Sequence, residues 1–238
     1  MNMKRLLLEV AVTTADEARS AAEAGADRLE LCSALELGGV TPSPGTFLAV
    51  REAAAIPVYV LLRPRPGGFH YSDFEFDTLK RDAEWFLRHD ADGIVFGLLT
   101  AEGRIDGARC AEVVALANGR AVFHRAFDFL EDRLAAMEEL IDMGFERILT
   151  SGGAPTAAEG SLEIAALVRT ARGRIQILPA SGIRPENVEK LLRETGCDQV
   201  HRSFRTRVIE KSERLTEQMG ERWTLDANLV RDMRAILD

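Results

Sequence analysis

Several acidic, basic and imidazole side chains stand at the ends of short apolar runs, where the local pattern gives them no ordinary reason to be. Glu9 follows Leu6-Leu7-Leu8, and Glu30 sits inside Leu29-Glu30-Leu31. A lone carboxylate in an apolar run is costly to bury. It must either join a structural ion network, with Arg63 or Arg125 as partner, or act as a general acid or base tuned by those cations. His124 opens His124-Arg125-Ala126-Phe127-Asp128, and His201 holds the matching place at the end of the last apolar run. Histidine is the usual proton carrier near neutral pH, and the alternative for each is a satisfied structural histidine. Glu9, Glu30, His124, Asp128 and His201 are therefore the candidate catalytic residues. His70 and His89 read as loop and surface residues.

A second set suits anion binding. Arg63, Arg65 and Arg125 can each offer a guanidinium fork to a carboxylate or phosphate. Ser151-Gly152-Gly153 and Ser181-Gly182 follow the sixth and seventh apolar runs. Glycine lets backbone amides approach a ligand, and a following helix N-terminus favours anions; plain turn chemistry is the alternative. Cys32 is the one thiol placed beside these groups, two residues after Glu30 and so on the same strand face. Cys110 falls in a helical stretch and Cys197 before the last apolar run. With no Cys-x-x-Cys and no histidine-rich tract, a zinc site is unsupported. None of the four lysines ends an apolar run, which argues against Schiff-base chemistry.

The elements that must position these groups recur eight times. A short apolar run is followed by a polar turn and an amphipathic segment, and the runs centre near Leu8, Leu29, Val60, Val95, Phe123, Ile148, Ile177 and Val200. Such alternation predicts a parallel sheet, and eight units can close it into a (β/α)8 TIM barrel, with chemistry at the C-terminal ends of the strands. An open dinucleotide-binding sheet would call for glycines after the first strand, and residues 9–14 contain none. Helix starts are expected at capping boxes Thr14/Glu17 and Thr156/Glu159, at Ser43 before Pro44, at Asp73, Asp106 and Asp226, and at Pro185. Residues 1–238 read as one domain. Its one irregular stretch, 205–224, is expected to be a solvated loop or short extra helix, rather than a cover for the mouth or a subunit contact.

Composition narrows the partners. With 38 acidic and 30 basic residues among 238, the net charge of −8 disfavours nucleic acid and anionic lipid. No apolar stretch approaches the ~20 residues of a membrane span, and Glu9 cuts the N-terminal apolar run too early for a signal peptide. Three sparse cysteines fit a reducing, cytoplasmic setting better than a disulfide framework.

Longer motifs then become recognisable. Ala26-Asp27-Arg28-Leu29-Glu30-Leu31-Cys32, Gly38-Gly39-Val40-Thr41-Pro42-Ser43, Leu62-Arg63-Pro64-Arg65, Tyr71-Ser72-Asp73, residues 123–128 and Ile148-Leu149-Thr150-Ser151-Gly152 resemble, in order and spacing, the CutC copper homeostasis family. The resemblance implies a cytoplasmic TIM barrel, commonly a homodimer, linked to copper tolerance and proposed to bind Cu(I), with Cys32 matching a cysteine discussed as a copper ligand. Many members carry one or two further cysteines where this chain has Val10 and Ala11, and the turn after the seventh strand is here Pro179-Ala180-Ser181-Gly182. The expected function is thus copper homeostasis with cytoplasmic copper ion binding. The alternative is an enzyme doing acid/base chemistry on a small anionic metabolite, phosphorylated or a carboxylate, and a third is a scaffold whose mouth charges are structural.

Overall fold

The computed structural model describes residues 5–209 and 213–238; residues 1–4, and 210–212 of the irregular stretch, lie outside the described residues. Strands and helices alternate as β1 (Leu7–Val12), α1 (Ala15–Glu23), β2 (Arg28–Leu31), α2 (Pro44–Ala53), β3 (Val58–Leu61), α3 (Asp73–Arg88), β4 (Gly93–Phe96), α4 (Gly107–Ala117), β5 (Ala121–Phe123), α5 (Arg133–Met143), β6 (Arg147–Thr150), α6 (Ser161–Ala171), β7 (Gln176–Pro179), α7 (Pro185–Thr195) and β8 (Gln199–Arg202). All eight predicted centres fall inside these strands. The sheet is parallel in the order β7-β6-β5-β4-β3-β2-β1-β8, and β7 lies against β8 to close a (β/α)8 barrel.

Strands buried on both faces explain the continuous apolar runs. Outward-facing residues such as Leu8, Leu29, Val60, Ile94, Phe123 and Ile148 pack under the helices in one large core. The inward face is divided. Tyr59, Leu61, Val95, Val122, Leu149, Leu178, Ala180 and Cys32 form an apolar cluster within the barrel. Glu9, Arg28, Glu30, Arg147 and Gln199 are polar and buried.

Ser43, Asp106 and Asp226 cap α2, α4 and the last helix as expected, and Pro185 opens α7. Thr14 caps α1 as expected, but three of the expected capping patterns differ in detail. Thr14 accepts the Glu17 amide, but the Glu17 carboxylate turns away from a capping box to accept from Thr13. Thr156 and Glu159 close a separate turn, and α6 begins after it with Gly160 at its N-cap. Ser72 rather than Asp73 caps α3, in a full capping box with Glu75.

The 205–224 stretch is also more regular than expected. Residues Arg205–Val208 (β9) and Arg222–Leu225 (β10) pair antiparallel around a short helix, α8 (Glu213–Met219), before α9 (Ala227–Leu237). The other oxygen of Glu17 fastens this ribbon to the barrel by accepting from Arg205 Nη1 at 2.6 Å and the Leu225 amide at 3.2 Å. Asp27 likewise joins β1 to α9, accepting from the Leu8 amide and Arg234.

Gly152 and Gly160 let the loops around α6 nest. A Cβ at Gly160 would collide with the Ser151 carbonyl oxygen, whereas one at Gly107 meets nothing within 4 Å. Gly160→Ala is expected to lower stability by ~1–3 kcal/mol, as overpacking does, while Gly107→Ala stays near neutral or slightly stabilising. Urea midpoints for the two variants check this, and equal midpoints would contradict the packing described.

Candidate functional site

The C-terminal mouth of the barrel opens into a cavity of about 490 Å³, lined among others by Glu30, Arg63, Phe69, His124, Arg125, His201 and Arg202. Behind the lining residue His201 lies the buried carboxylate of Glu9. Arg28 Nε bonds one Glu9 oxygen, and His201 Nδ1 lies 2.8 Å from the other. Arg147 Nη1 stands 3.9 Å away. Burial alone would raise the Glu9 pKa, but Arg28, His201 and Arg147 hold it well below the carboxylate range. Glu9 therefore serves as a fixed negative charge rather than a proton carrier. Its cation partners are Arg28 and Arg147, not Arg63 or Arg125. The sequence signal was present in the strand period, since Arg28 shares the inward face of β2 with Glu30, and Arg147 that of β6 with Leu149.

Glu30 differs because burial there outweighs the cations. Burial raises its pKa to about 7, with the Glu9 charge adding to the rise and His201, Arg28 and Arg147 opposing it. Its Oε2 is buried with no hydrogen-bond partner among the described residues. For His201, burial works against the charged ring, but the Glu30 and Glu9 carboxylates outweigh it and move the pKa up. Ligand atoms of Glu9, Glu30 and His201 all lie within 4.8 Å of one another. Glu30 and His201 are thus neighbouring titratable groups whose charges act on each other.

His124 has a different part from the proton carrier expected of it. Its Nδ1 accepts the Ala126 amide at 3.2 Å, so the ring proton sits on Nε2. Burial and the nearby Arg63 charge lower its pKa to about 3. The ring is accordingly neutral at working pH, and its buried Nε2–H has no acceptor among the described residues. Gly97 makes the room for it, because a Cβ there would lie 2.6 Å from the ring. Phe69 packs at 4.7 Å between ring centroids.

Asp128 does not face the cavity as a catalytic acid would. It accepts from Thr150 Oγ1 (2.5 Å), the Ser151 and Gly153 amides (2.9 and 3.2 Å) and Arg125 Nε (2.8 Å). This carboxylate pins the loop after β5 to the loop after β6. The Gly152 amide is consumed by Thr150 Oγ1. The Ser151-Gly152-Gly153 amides are thus turned onto the protein rather than presented to an anion.

The expected anion holders are similarly dispersed. Arg63 lines the cavity, but Nη1 and Nη2 donate to the Leu37, Gly39 and Gly67 carbonyls, leaving Nε buried and unpartnered. Arg65 is held by Glu75 and the His70 carbonyl and does not line the cavity. Arg125 bonds Asp128 and Ser151. Ser181 and Gly182 do line the cavity. Arg184 and Arg202 also line it; neither was singled out by reasoning from strand ends, because Arg202 alternates outward from His201 and Arg184 lies in a loop.

Cys32 tests the metal expectation. The thiol is fully buried behind Gly39 and Leu61 and is not among the cavity's lining residues. Burial and the Glu30 charge push its pKa far up, so the thiolate that binds Cu(I) is disfavoured. Among the described residues, the one group of three metal-ligating His, Cys, Asp or Glu side chains is Glu9, Glu30 and His201. That is a hard-leaning oxygen and nitrogen set unlike the soft donors that select Cu(I), and Arg28 and Arg147 crowd it with positive charge. The residues present do not fit a Cu(I) site.

Fold and cavity define a single-domain (β/α)8 barrel with a coupled carboxyl–imidazole pair buried at its mouth. The CutC family model matches residues 6–206. A CutC family protein of Treponema denticola is 46% identical over 84% of this chain and 81% of its own length. The human copper homeostasis protein cutC homolog is 44% identical over 84% of this chain and 74% of its own. A crystal structure of a CutC protein from Streptococcus agalactiae superposes with a TM-score of 0.77 at 32% identity, covering 82% of this chain and 97% of that one. The chain belongs to the CutC family, the copper homeostasis protein family of those relatives' names.

The Glu30 pKa gives stability a definite pH dependence. The folded carboxyl keeps its proton above the ordinary 4.5, up to about 7. Its stabilising contribution is therefore complete below the unfolded value and is lost as pH rises through about 7. Glu30→Gln is expected to shrink the fall in urea midpoint between about pH 5 and about pH 8. A fall as large as that of the wild type would show that Glu30 does not titrate there.

Proposed function

We propose that this CutC family member is an acid–base enzyme acting on a small anionic organic molecule held in the barrel mouth, and that any part it has in copper homeostasis runs through that chemistry rather than through Cu(I) held by Cys32. The observation that carries the reading is the Glu30 carboxyl. It is buried, poised at about 7, has one oxygen without a partner, and faces the cavity beside His201.

In this reading Glu30 takes or gives a proton at the reacting atom, the role for which a carboxyl tuned near neutrality suits best. His201 is the matching charged partner, kept upright by Glu9 through Nδ1. The neutral His124 donates its Nε2–H to an oxygen on which negative charge develops, and being fixed by the Ala126 amide it need not reorganise to do so. Phe69 and Phe129 give the cavity an apolar wall, which strengthens each of these interactions. We place the protein in the cytoplasm, as the three free, buried thiols suit, and as the homodimer that the family resemblance implies. No helix among the described residues is long and apolar enough to cross a membrane.

Two measurements test the proposal. A panel of sugar phosphates and hydroxy- and keto-acids is incubated with the protein in D2O and followed by proton NMR. The wild type is expected to exchange or convert at least one member, with the rate falling ~100-fold or more in Glu30→Gln and in His201→Gln. A Cu(I) competition titration on the reduced protein is expected to give weak binding, unchanged in Cys32→Ser. Tight stoichiometric Cu(I) binding that disappears in Cys32→Ser would overturn the proposal in favour of copper binding.

A further inference from the structure

Four arginines line the cavity, and they differ in what they already hold. Arg63 spends two nitrogens on three loop carbonyls, and Arg125 is divided between Asp128 and Ser151. Arg184 and Arg202 are uncommitted: among the described residues neither guanidinium donates a hydrogen bond or enters an ion pair. Arg202 Nη1 is buried all the same, its guanidinium lying 4.8 Å from the centroid of the Phe204 ring. Burial lowers the Arg202 pKa and the Arg184 charge lowers it further, with Glu186 pulling the other way. Two guanidiniums that repel each other, one with a buried nitrogen left without an acceptor, form an arrangement that an anion would complete.

The surroundings say which anion. Arg184 comes from the loop after β7 and Arg202 from the C-terminal end of β8, and Ser203 and Gly182 line the same cavity. Arg184 is the N-cap of α7, whose first residue is Pro185. The same cavity is lined by Glu30 and His124, whose Oε2 and Nε2 are unpartnered and whose residues are both more than nine-tenths buried. The geometry points to a phosphate seat formed by Arg184, Arg202 and Ser203, which takes the phosphate end of a phosphorylated small molecule whose other end meets Glu30 and His124. Two guanidinium forks and a hydroxyl can surround a tetrahedral dianion, whereas a planar carboxylate needs only one fork. Barrels of this architecture frequently bind phosphate through their last two loops. The seat narrows the substrate class of the acid–base reading above and rests on it for the identity of the cavity as an active site.

Inorganic phosphate is the probe. Calorimetric titration of the full chain with phosphate at low ionic strength is expected to show saturable binding, weakened about tenfold or more in Arg202→Gln and in Arg184→Gln, as loss of a charge-assisted contact implies. Arg184 is exposed, so its variant keeps the proposal testable if Arg202→Gln does not fold; circular dichroism checks both. Arg65→Gln, outside the cavity, is the control and is expected to bind as the wild type does. Absence of saturable binding in the wild type, equal affinity in the folded Arg184→Gln variant, or acetate binding as tightly as phosphate would each overturn the seat. The titration does not involve proton transfer by Glu30. Its failure would leave the D2O experiment standing, and a negative D2O experiment would leave the phosphate result standing.

Discussion

A carboxylate buried inside a barrel must be neutralised, and most of the interior follows from how Glu9 meets that requirement. Leaving such a charge unpaired would be strongly destabilising. Arg28 from the neighbouring strand and His201 from the strand on the other side bond its two oxygens. Arg28 in turn lies over the Tyr59 ring and donates to Gln199, and Arg147 approaches the same ring from β6. The same cations act on Glu30 too, but there burial, helped by the Glu9 charge, outweighs them. One carboxylate is thus driven to permanent charge and the other towards neutrality, by environment and not by residue type. The asymmetry gives the mouth a titratable group at about 7.

The loops are ordered by the same device at smaller scale. Asp128 gathers Thr150, Ser151, Gly153 and Arg125, and Glu17 gathers Thr13, Arg205 and the Leu225 amide. Each is a carboxylate saturated by donors from loops distant in sequence, which orients those loops without an apolar core of their own. What remains unsaturated is then informative. Among the described residues, half of the buried polar side-chain atoms without a hydrogen-bond partner, Glu30 Oε2, His124 Nε2, Arg63 Nε and Arg202 Nη1, belong to residues that line the mouth cavity, the others being on Tyr71, Arg147 and Arg234. Buried polar atoms are normally paired, so this concentration at the C-terminal mouth marks where a ligand belongs in a (β/α)8 barrel.

The same electrostatics bear on copper. A soft cation needs a thiolate, and the only thiol near the mouth sits in an apolar pocket beside a carboxyl that also opposes its ionisation. Val10 lies in the core outside the barrel interior, and Ala11 faces the cavity without a ligand atom. The name carried by the relatives and the chemistry of this mouth are compatible if the pocket works on an organic anion.

Period and type of residue determined the barrel. Eight apolar runs separated by helix-length segments have few other ways to bury both faces of a parallel sheet, so strand centres, inward pairs such as Glu30 and Cys32, and caps such as Ser43 and Asp106 were legible residue by residue. Part of the mouth was legible too, because strand ends converge there: Glu30, Arg63, His124, Arg125 and His201 line the cavity, whereas Arg65 and Asp128 do not and Arg184 and Arg202 were missed. The roles of the mouth residues were not legible. Whether Glu9 or Glu30 keeps its proton, whether His124 titrates, and whether the amides after β6 face a ligand or Asp128 depend on which charges lie a few ångströms away across the barrel. Glu9 and His201 are separated by nearly the whole chain, as are Glu17 and Leu225. No local pattern encodes such pairs; only closing the barrel brings β8 beside β1, and that contact decides which side chains are fixed charges and which can move a proton.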